Sequence, residues 1–474
     1  MFNFIKSNSQ IFFGFIFGMY FLFTLSNAVD INNTVSIAVL LTIIIYIQSI
    51  GTFFYFYKKN GKPRLQDWIR VGLFITLVLD FMKIINKANG QDSVKFIVNT
   101  LSLNDSSFIL ILIIFTFISL DFAWITYNTF KKTKISNEQF IINRKDWIFI
   151  ILIVSTLFQS YLLFSGVTGF GSKQSSGILS LIKMISEYLN PFALIISAYI
   201  IFIENTNNTK YKLIFYFALL IQVFTGFLSG MKENALEPIL YTIIVFLIAG
   251  KRIPKNIIFI GLFALAILYP INNAYREVIS NPYLNKGSSI VNMARAIKKV
   301  LTQPLDETLL GGVESYADRG SMFPFLIYVT NIEEKWTYYK NMTRYATLPI
   351  NWIIPRALWE DKPRADIGGT LYILITNNKD TNTAVTATSI GWAYLEGGIL
   401  YIFFIFVILG LIFEFIDNKN IKKPIFLIFY IVLLHKAIKP EWDPYFMISS
   451  LIPMIILYWG LLKLIGQKRI TNEN

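Results

Sequence analysis

The sequence predicts an all-α polytopic integral membrane protein with about twelve transmembrane helices, and three observations predict it. Of the 474 residues, 54% are hydrophobic and only 15% are charged, which is more apolar surface than one soluble core can bury. Apolar runs long enough to cross a hydrocarbon core recur along the chain. Basic residues fall into alternate short loops between those runs, as membrane orientation requires.

Taken in order, runs of crossing length lie at 11–29, 35–57, 68–86, 108–130, 147–166, 179–203, 211–229, 390–416 and 443–465. Shorter runs at 236–249, 256–272 and 424–438, each bounded by charge or proline, complete the count. The first run, with Lys6 before it and Ser26-Asn27-Ala28 behind it, is read as an uncleaved span rather than a signal peptide because it is long and another span follows at once. Residues 1–272 then form a first membrane bundle, 273–389 an extracytoplasmic segment, and 390–474 the last three spans and a cytoplasmic tail.

Lys6, Lys58, Lys59, Lys62, Arg64, Lys131, Lys132, Lys134, Arg144, Lys145, Lys210, Lys212, Lys251, Arg252, Lys255, Lys419, Lys422, Lys423, Lys468 and Arg469 occupy one set of loops and ends. The intervening short loops hold only Lys87, Lys95, Lys173, Lys232 and Lys439. Both termini are therefore expected in the cytoplasm and the long segment outside. The net charge of +14 is scattered in this way rather than gathered on a soluble domain, which argues against nucleic acid as a partner. With no cysteine and one histidine, His435, the chain has no ligand set for disulfide, haem or thiol chemistry or for a Cys/His zinc site. No metal site and no cofactor is expected.

The outer segment is too long and too patterned to be structureless. Across 288–305, Ile290, Met293, Ala294, Ile297, Val300 and Leu301 recur at helical spacing, while Asn292, Arg295, Lys298 and Lys299 take the other face. Two readings stand: a basic helix on the outer leaflet, and a helix packed on the protein with a solvated face. Gly311 to Gly320 follows, polar and glycine-rich, carrying Glu314, Asp318 and Arg319. The apolar run after it, Met322 to Val329, is too short to cross and is expected to dip back as a re-entrant or buried helix.

In Leu348 to Arg364, Pro349, Pro355 and Pro363 bar a continuous helix, and Trp352 and Trp359 suit an interface. Arg356, Lys362 and Arg364 are thereby presented on a stiff loop near headgroup level. Guanidinium groups held there suit the phosphates of a lipid carrier, although pairing with Glu360 and Asp361 or with ordinary headgroups would also occupy them.

At Ile354-Pro355-Arg356-Ala357-Leu358-Trp359-Glu360-Asp361-Lys362-Pro363 the sequence resembles the bacterial O-antigen and capsular polysaccharide polymerases, the Wzy-type repeat-unit polymerases. Thr388-Ser389-Ile390-Gly391 with Glu396-Gly397-Gly398, and Leu228-Ser229-Gly230-Met231-Lys232-Glu233-Asn234-Ala235, extend the similarity. Where the serine-glycine stretch of that family often carries arginine, this chain has Lys232, which keeps the charge without the bidentate geometry.

The resemblance implies a GT-C-like membrane glycosyltransferase architecture and an enzyme that works without a metal. Its substrates would be undecaprenyl-diphosphate-linked oligosaccharides, donor and acceptor, with membrane lipids, a chain-length regulator and a flippase as further partners. The diphosphate is the leaving group, so Arg356, Arg319, Arg276, Arg344, Arg364 and Lys232 are candidates to bind it. Glu396, His435, Glu314 and Asp318 are candidates to move or orient the proton of the incoming hydroxyl. For His435, beside Lys436 and near Lys439 and Glu441, an interfacial anchor is the competing role. An O-antigen ligase would use the same donor. A lipid-linked oligosaccharide flippase would instead depend on ionisable groups within the spans, for which Asp80, Asp121, Lys183, Glu187 and Glu237 are available.

Overall fold

The computed structural model describes residues 32–60, 62–82, 103–130, 138–170, 177–254, 270–279, 281, 283, 289–302, 322–332, 336, 368–376, 385–439 and 441–470. Apart from one two-stranded ribbon, the elements are helices. They are α1 (Asn32–Tyr46), α2 (Thr52–Asn60), α3 (Leu65–Leu73), α4 (Leu103–Phe130), β1 (Gln139–Ile142), α5 (Lys145–Phe164), α6 (Gly177–Phe202), α7 (Thr209–Leu228) and α8 (Lys232–Ile248). There follow α9 (Ser289–Thr302), α10 (Met322–Asn331), α11 (Gly368–Thr376), α12 (Thr388–Asp417), α13 (Pro424–Ile438), α14 (Pro444–Ile465) and β2 (Gln467–Ile470). One π turn, Ile47–Gly51, joins α1 to α2, and another, Phe74–Val78, continues α3.

Among the described residues seven helices are long and apolar enough to cross a membrane: Leu40–Lys59, Asp105–Phe130, Lys145–Phe164, Ile182–Phe202, Thr209–Leu228, Thr388–Asp417 and Pro444–Ile465. Each falls on an expected run. The shorter runs at 236–249 and 424–438 are also helical, as α8 and α13, while 11–29 and all but the last three residues of 256–272 lie outside the described residues. Long apolar side chains facing outward, such as Leu213, Phe217 and Leu220 on α7, are what a lipid-facing surface requires.

The loops that carry the basic residues gather at one end. Here β1 pairs antiparallel with β2, setting Ile141 opposite Lys468 and tying the chain's tail to the loop before α5. Lys145 bridges Glu204 at 2.6 Å, and the Tyr199 hydroxyl donates toward the carbonyls of Phe140 (2.6 Å) and Lys422 (3.0 Å). The Asp417 carboxylate accepts the Leu65 N–H at 2.6 Å, and Lys62 lies 3.8 Å from it. Burial pushes the Glu204 carboxyl up, against the pull of Lys145 and the Ile142 N–H.

Within the bundle, Gln222 on α7 donates to Thr156 on α5 (2.9 Å) and to Asn190 on α6 (2.8 Å), so a polar knot joins three helices whose contacts are otherwise apolar. The Arg70 guanidinium is fully buried and donates to Asp121 at 2.6 Å, which accounts for both charges structurally.

At the other end, α10 is the buried short helix expected at Met322 to Val329. Phe323, Leu326, Ile327 and Val329 are buried, and the Phe323 N–H donates to Asp80 at 3.1 Å, which caps the helix. It packs on α12 at Gly391, where a Cβ would stand 2.9 Å from Leu326 and 3.2 Å from Val329. Thr388 begins α12 with φ 63, and its hydroxyl accepts the Gly391 N–H at 3.3 Å. The same helix breaks at Gly398 (φ 68, ψ −155), a conformation that only glycine adopts without strain.

The helix expected over 288–305 is α9, and the structure divides its apolar face. Met293, Ala296 and Val300 pack on Leu163, Leu228, Ala274 and Tyr275. Ile290, Ala294, Ile297 and Leu301 remain exposed.

Candidate functional site

The site begins at the turn between α7 and α8. The Ser229 carbonyl accepts the Phe170 N–H at 2.7 Å, and Gly230 takes the left-handed conformation (φ 67) that lets the chain reverse there. Arg276 donates through Nε to the Gly230 carbonyl at 2.6 Å and lies over the Phe170 ring at 4.7 Å. A Cβ on Gly226 would run into the Asn234 carbonyl, so glycine is what allows α7 and α8 to approach so closely.

From this turn α8 runs inward. Glu233, Glu237 and Tyr241 are spaced by four residues and so share one helical face. Opposite them, at the last turn of α13, stands His435. Its Nε2 is 3.4 Å from Glu233 Oε1 and its Nδ1 is 3.5 Å from Glu237 Oε1, so one imidazole is held between two carboxylates. Lys439 binds the second oxygen of Glu233 at 2.5 Å, and the Tyr241 hydroxyl donates to Glu237. The Tyr241 ring meets the imidazole edge to face at 5.7 Å.

Two further helices contribute. Glu187 of α6 lies within electrostatic reach of Lys183, Lys436 and Glu237. The Tyr458 hydroxyl of α14 donates to the Tyr188 carbonyl at 3.0 Å, closing the cluster on its inner side. His435 itself is buried, with 7% of its side chain exposed, whereas Glu233 is 40% exposed and Glu237 30%. The carboxylates form the open mouth and the imidazole the floor.

Burial works to raise the Glu233 carboxyl, but Lys439, Lys436 and His435 outweigh it and hold the group below its ordinary value. Glu233 is thus an anion at neutral pH. An imidazole with a carboxylate near each nitrogen has the resulting imidazolium stabilised electrostatically when it takes up a proton, which favours a general-base role.

Of the residues the sequence singles out, the structure brings His435 and the backbone of Lys232, the first residue of α8, to this site, with Arg276 at its edge. Glu396 is buried on α12, a helix outside the cluster, one residue before the Gly397-Gly398 break and near Tyr401. Glu314, Asp318, Arg319, Arg344, Arg356 and Arg364 lie outside the described residues. In the sequence Glu233 stands out only as part of a motif and Glu237 only as a charge within a span. Their common spacing with Tyr241 was visible, but the histidine they face is some 200 residues away in the chain, and only packing reveals it.

A family model described as "Domain of unknown function (DUF8712)" matches residues 125–426, more than half of the chain, from the end of α4 to the start of α13. It includes Glu233, Glu237 and Arg276 and ends just before His435. No curated protein and no solved structure matches the chain.

Proposed function

The chain belongs to this DUF8712 family, and from its own residues we propose that it is a metal-independent membrane glycosyltransferase. It would join undecaprenyl-diphosphate-linked oligosaccharide repeat units into O-antigen or capsular polysaccharide at the outer face of the bacterial cytoplasmic membrane. The proposed layout has twelve spans, a GT-C-like architecture, both termini in the cytoplasm and the His435 end outside. Three units, 1–272, 273–389 and 390–474, make up the chain in this reading. The gathering of the basic loops at the opposite end supports this orientation.

The observation that carries the chemistry is His435 held between Glu233 and Glu237 at an open mouth. The hydroxyl of an incoming repeat unit gives its proton to His435 as its oxygen bonds the anomeric carbon of the growing glycan. The bond from that carbon to the diphosphate breaks, and its electron pair leaves with the lipid carrier. Arg276 and Lys232 beside the turn, and Arg319, Arg344, Arg356 and Arg364 in the outer segment, would meet the developing negative charge. In this scheme Glu314, Asp318 and Glu396 serve as supporting carboxylates for sugar or proton.

A flippase reading draws on Glu187, Lys183 and Glu237, which are charges within helices. The site's depth favours the enzyme: His435 is three residues from the end of α13, about 5 Å at the helical rise, so the cluster opens at one end rather than at mid-membrane. The deciding experiment is the set of lipid-linked glycans that accumulates when the gene is deleted. Single repeat units outside indicate a polymerase, long finished polymer a ligase, and single units trapped inside a transporter.

A further inference from the structure

We propose that α9 is a membrane-surface helix: Ile290, Ala294, Ile297 and Leu301 enter the headgroup layer of the surrounding bilayer, while Lys298 meets anionic headgroups. Three observations carry this beyond the enzymatic reading, on which it does not depend. The first is that the stripe is exposed although apolar: Leu301 is 78% exposed, Ile290 54% and Ile297 38%. Residues at i, i+4, i+7 and i+11 line a single helical edge, and the buried Met293, Ala296 and Val300 hold the adjacent edge against the protein.

The second observation is height. α9 rests on Leu163 and Leu228, the next-to-last residue of the span Lys145–Phe164 and the last of Thr209–Leu228. A helix seated where two spans end lies at the boundary of the hydrocarbon, and Phe164 and Phe224 beside it also face outward, at 55% and 54% exposure.

The third is charge. Ser289 to Thr302 contains Arg295, Lys298 and Lys299 and no acidic residue. Lys299 is engaged by Glu277 at 2.5 Å, which anchors the helix to the 270–279 stretch that also supplies Arg276. Lys298 is exposed at the border of the apolar stripe, where a lysine stem can lie along the acyl boundary with its ammonium among phosphates.

The chain has no cysteine, so single labelling sites are clean. Nitroxide would be attached at Ile297→Cys, at Leu301→Cys and, on the polar side, at Thr302→Cys, in the full-length protein in nanodiscs containing phosphatidylglycerol. All three positions are exposed, so folding is not at stake. Relaxation by oxygen relative to a water-soluble nickel chelate is expected to be several-fold greater at 297 and 301 than at 302. Replacing phosphatidylglycerol by phosphatidylcholine, or adding Lys298→Gln, should reduce that contrast. Equal nickel access at all three sites would place the stripe in water, and closure of 297 and 301 to both reagents would mean that protein covers it. Either result overturns the proposal, as does a contrast indifferent to lipid charge and to Lys298.

Discussion

Lys439 and His435 grip the two oxygens of one carboxylate: Glu233 Oε2 lies 2.5 Å from the lysine and Oε1 3.4 Å from the imidazole Nε2. The shorter contact fixes the carboxylate, and the longer one leaves its charge close enough to stabilise a protonated imidazole. Removing the imidazole by His435→Ala should therefore cost activity by about a hundredfold to ten-thousandfold, the usual range for a general base. Glu233→Gln, which keeps the shape but not the charge, should also fall well below wild type. The control is Glu441→Gln, outside the cluster. Polymer formed from purified lipid-linked repeat units is the measurement, with blotting for protein level, and near-normal synthesis by both variants would overturn the assignment.

Two carboxyls set opposite pH trends. Glu204 is raised in the folded state by burial, so its contribution to stability is present below about pH 4.3, the ordinary glutamate value, and is lost as pH rises through the raised value. Glu233 is lowered, so its contribution is present above the ordinary value and is lost as pH falls through the lowered one. In thermal unfolding across this acid range, Glu204→Gln should flatten the loss on raising pH and Glu233→Gln the loss on lowering it. Parallel curves for both variants and wild type would show that neither group is coupled to folding.

Close helix approach at Gly226 holds the turn that borders the site. Gly226→Val must push α8 away from α7, and overpacking of this kind costs about 1–3 kcal/mol. Thermal unfolding in detergent should report the loss, and activity should fall with it because Ser229, Gly230 and Glu233 move together. Gly250→Ala is the comparison. Gly250, unlike Gly226, has positive φ and nothing within 4 Å of an added Cβ, so the strain there is conformational alone.

Orientation has its own test. Reporters fused after Lys62, Asn137, Lys251 and Lys422 should read cytoplasm, while those after Asn33, Asn99, Lys173 and Gly320 should read the outside. The ribbon adds an independent check, because Ile141 stands opposite Lys468. A cysteine at each position should cross-link within one chain. A cytoplasmic signal after Gly320 would remove the outer site.

Much of this fold was legible because hydrophobic length and loop charge are local properties. The seven long helices fall on runs that the sequence marks, and α9 and α10 follow from helical spacing and from a run too short to cross. The site was legible only in pieces. His435 stood out as the one histidine and Leu228 to Ala235 as a motif, but nothing local says that α8 faces α13. Asp121 shows the converse, since a charge in a span that could signal transport proves to be paired with Arg70. In α9, periodicity located the apolar face but could not say which part of it the protein would cover.

In the proposed scheme the diphosphate contacts are assigned to the arginines of the 273–389 segment. In the sequence Arg356 follows Pro355 and precedes Pro363, and Arg319 sits in a glycine-rich stretch just before α10, whose Phe323 is anchored by Asp80. Replacing either arginine by lysine keeps the charge but removes the paired hydrogen bonds that a guanidinium offers a phosphate. If those bonds strengthen as the leaving group gains charge, each substitution should cost about 2–4 kcal/mol, roughly a tenfold to thousandfold loss of rate. Lys340→Gln removes a charge from a stretch without flanking proline or glycine and should do much less. Arg276→Lys separates binding from architecture: it gives up the Nε bond to Gly230, so it should lower thermal stability as well as rate. Loss of rate without loss of stability in Arg356→Lys and Arg319→Lys is the expected pattern. Normal polymerisation by both would move the diphosphate to Arg344, Arg364 and the Arg276 edge of the His435 site.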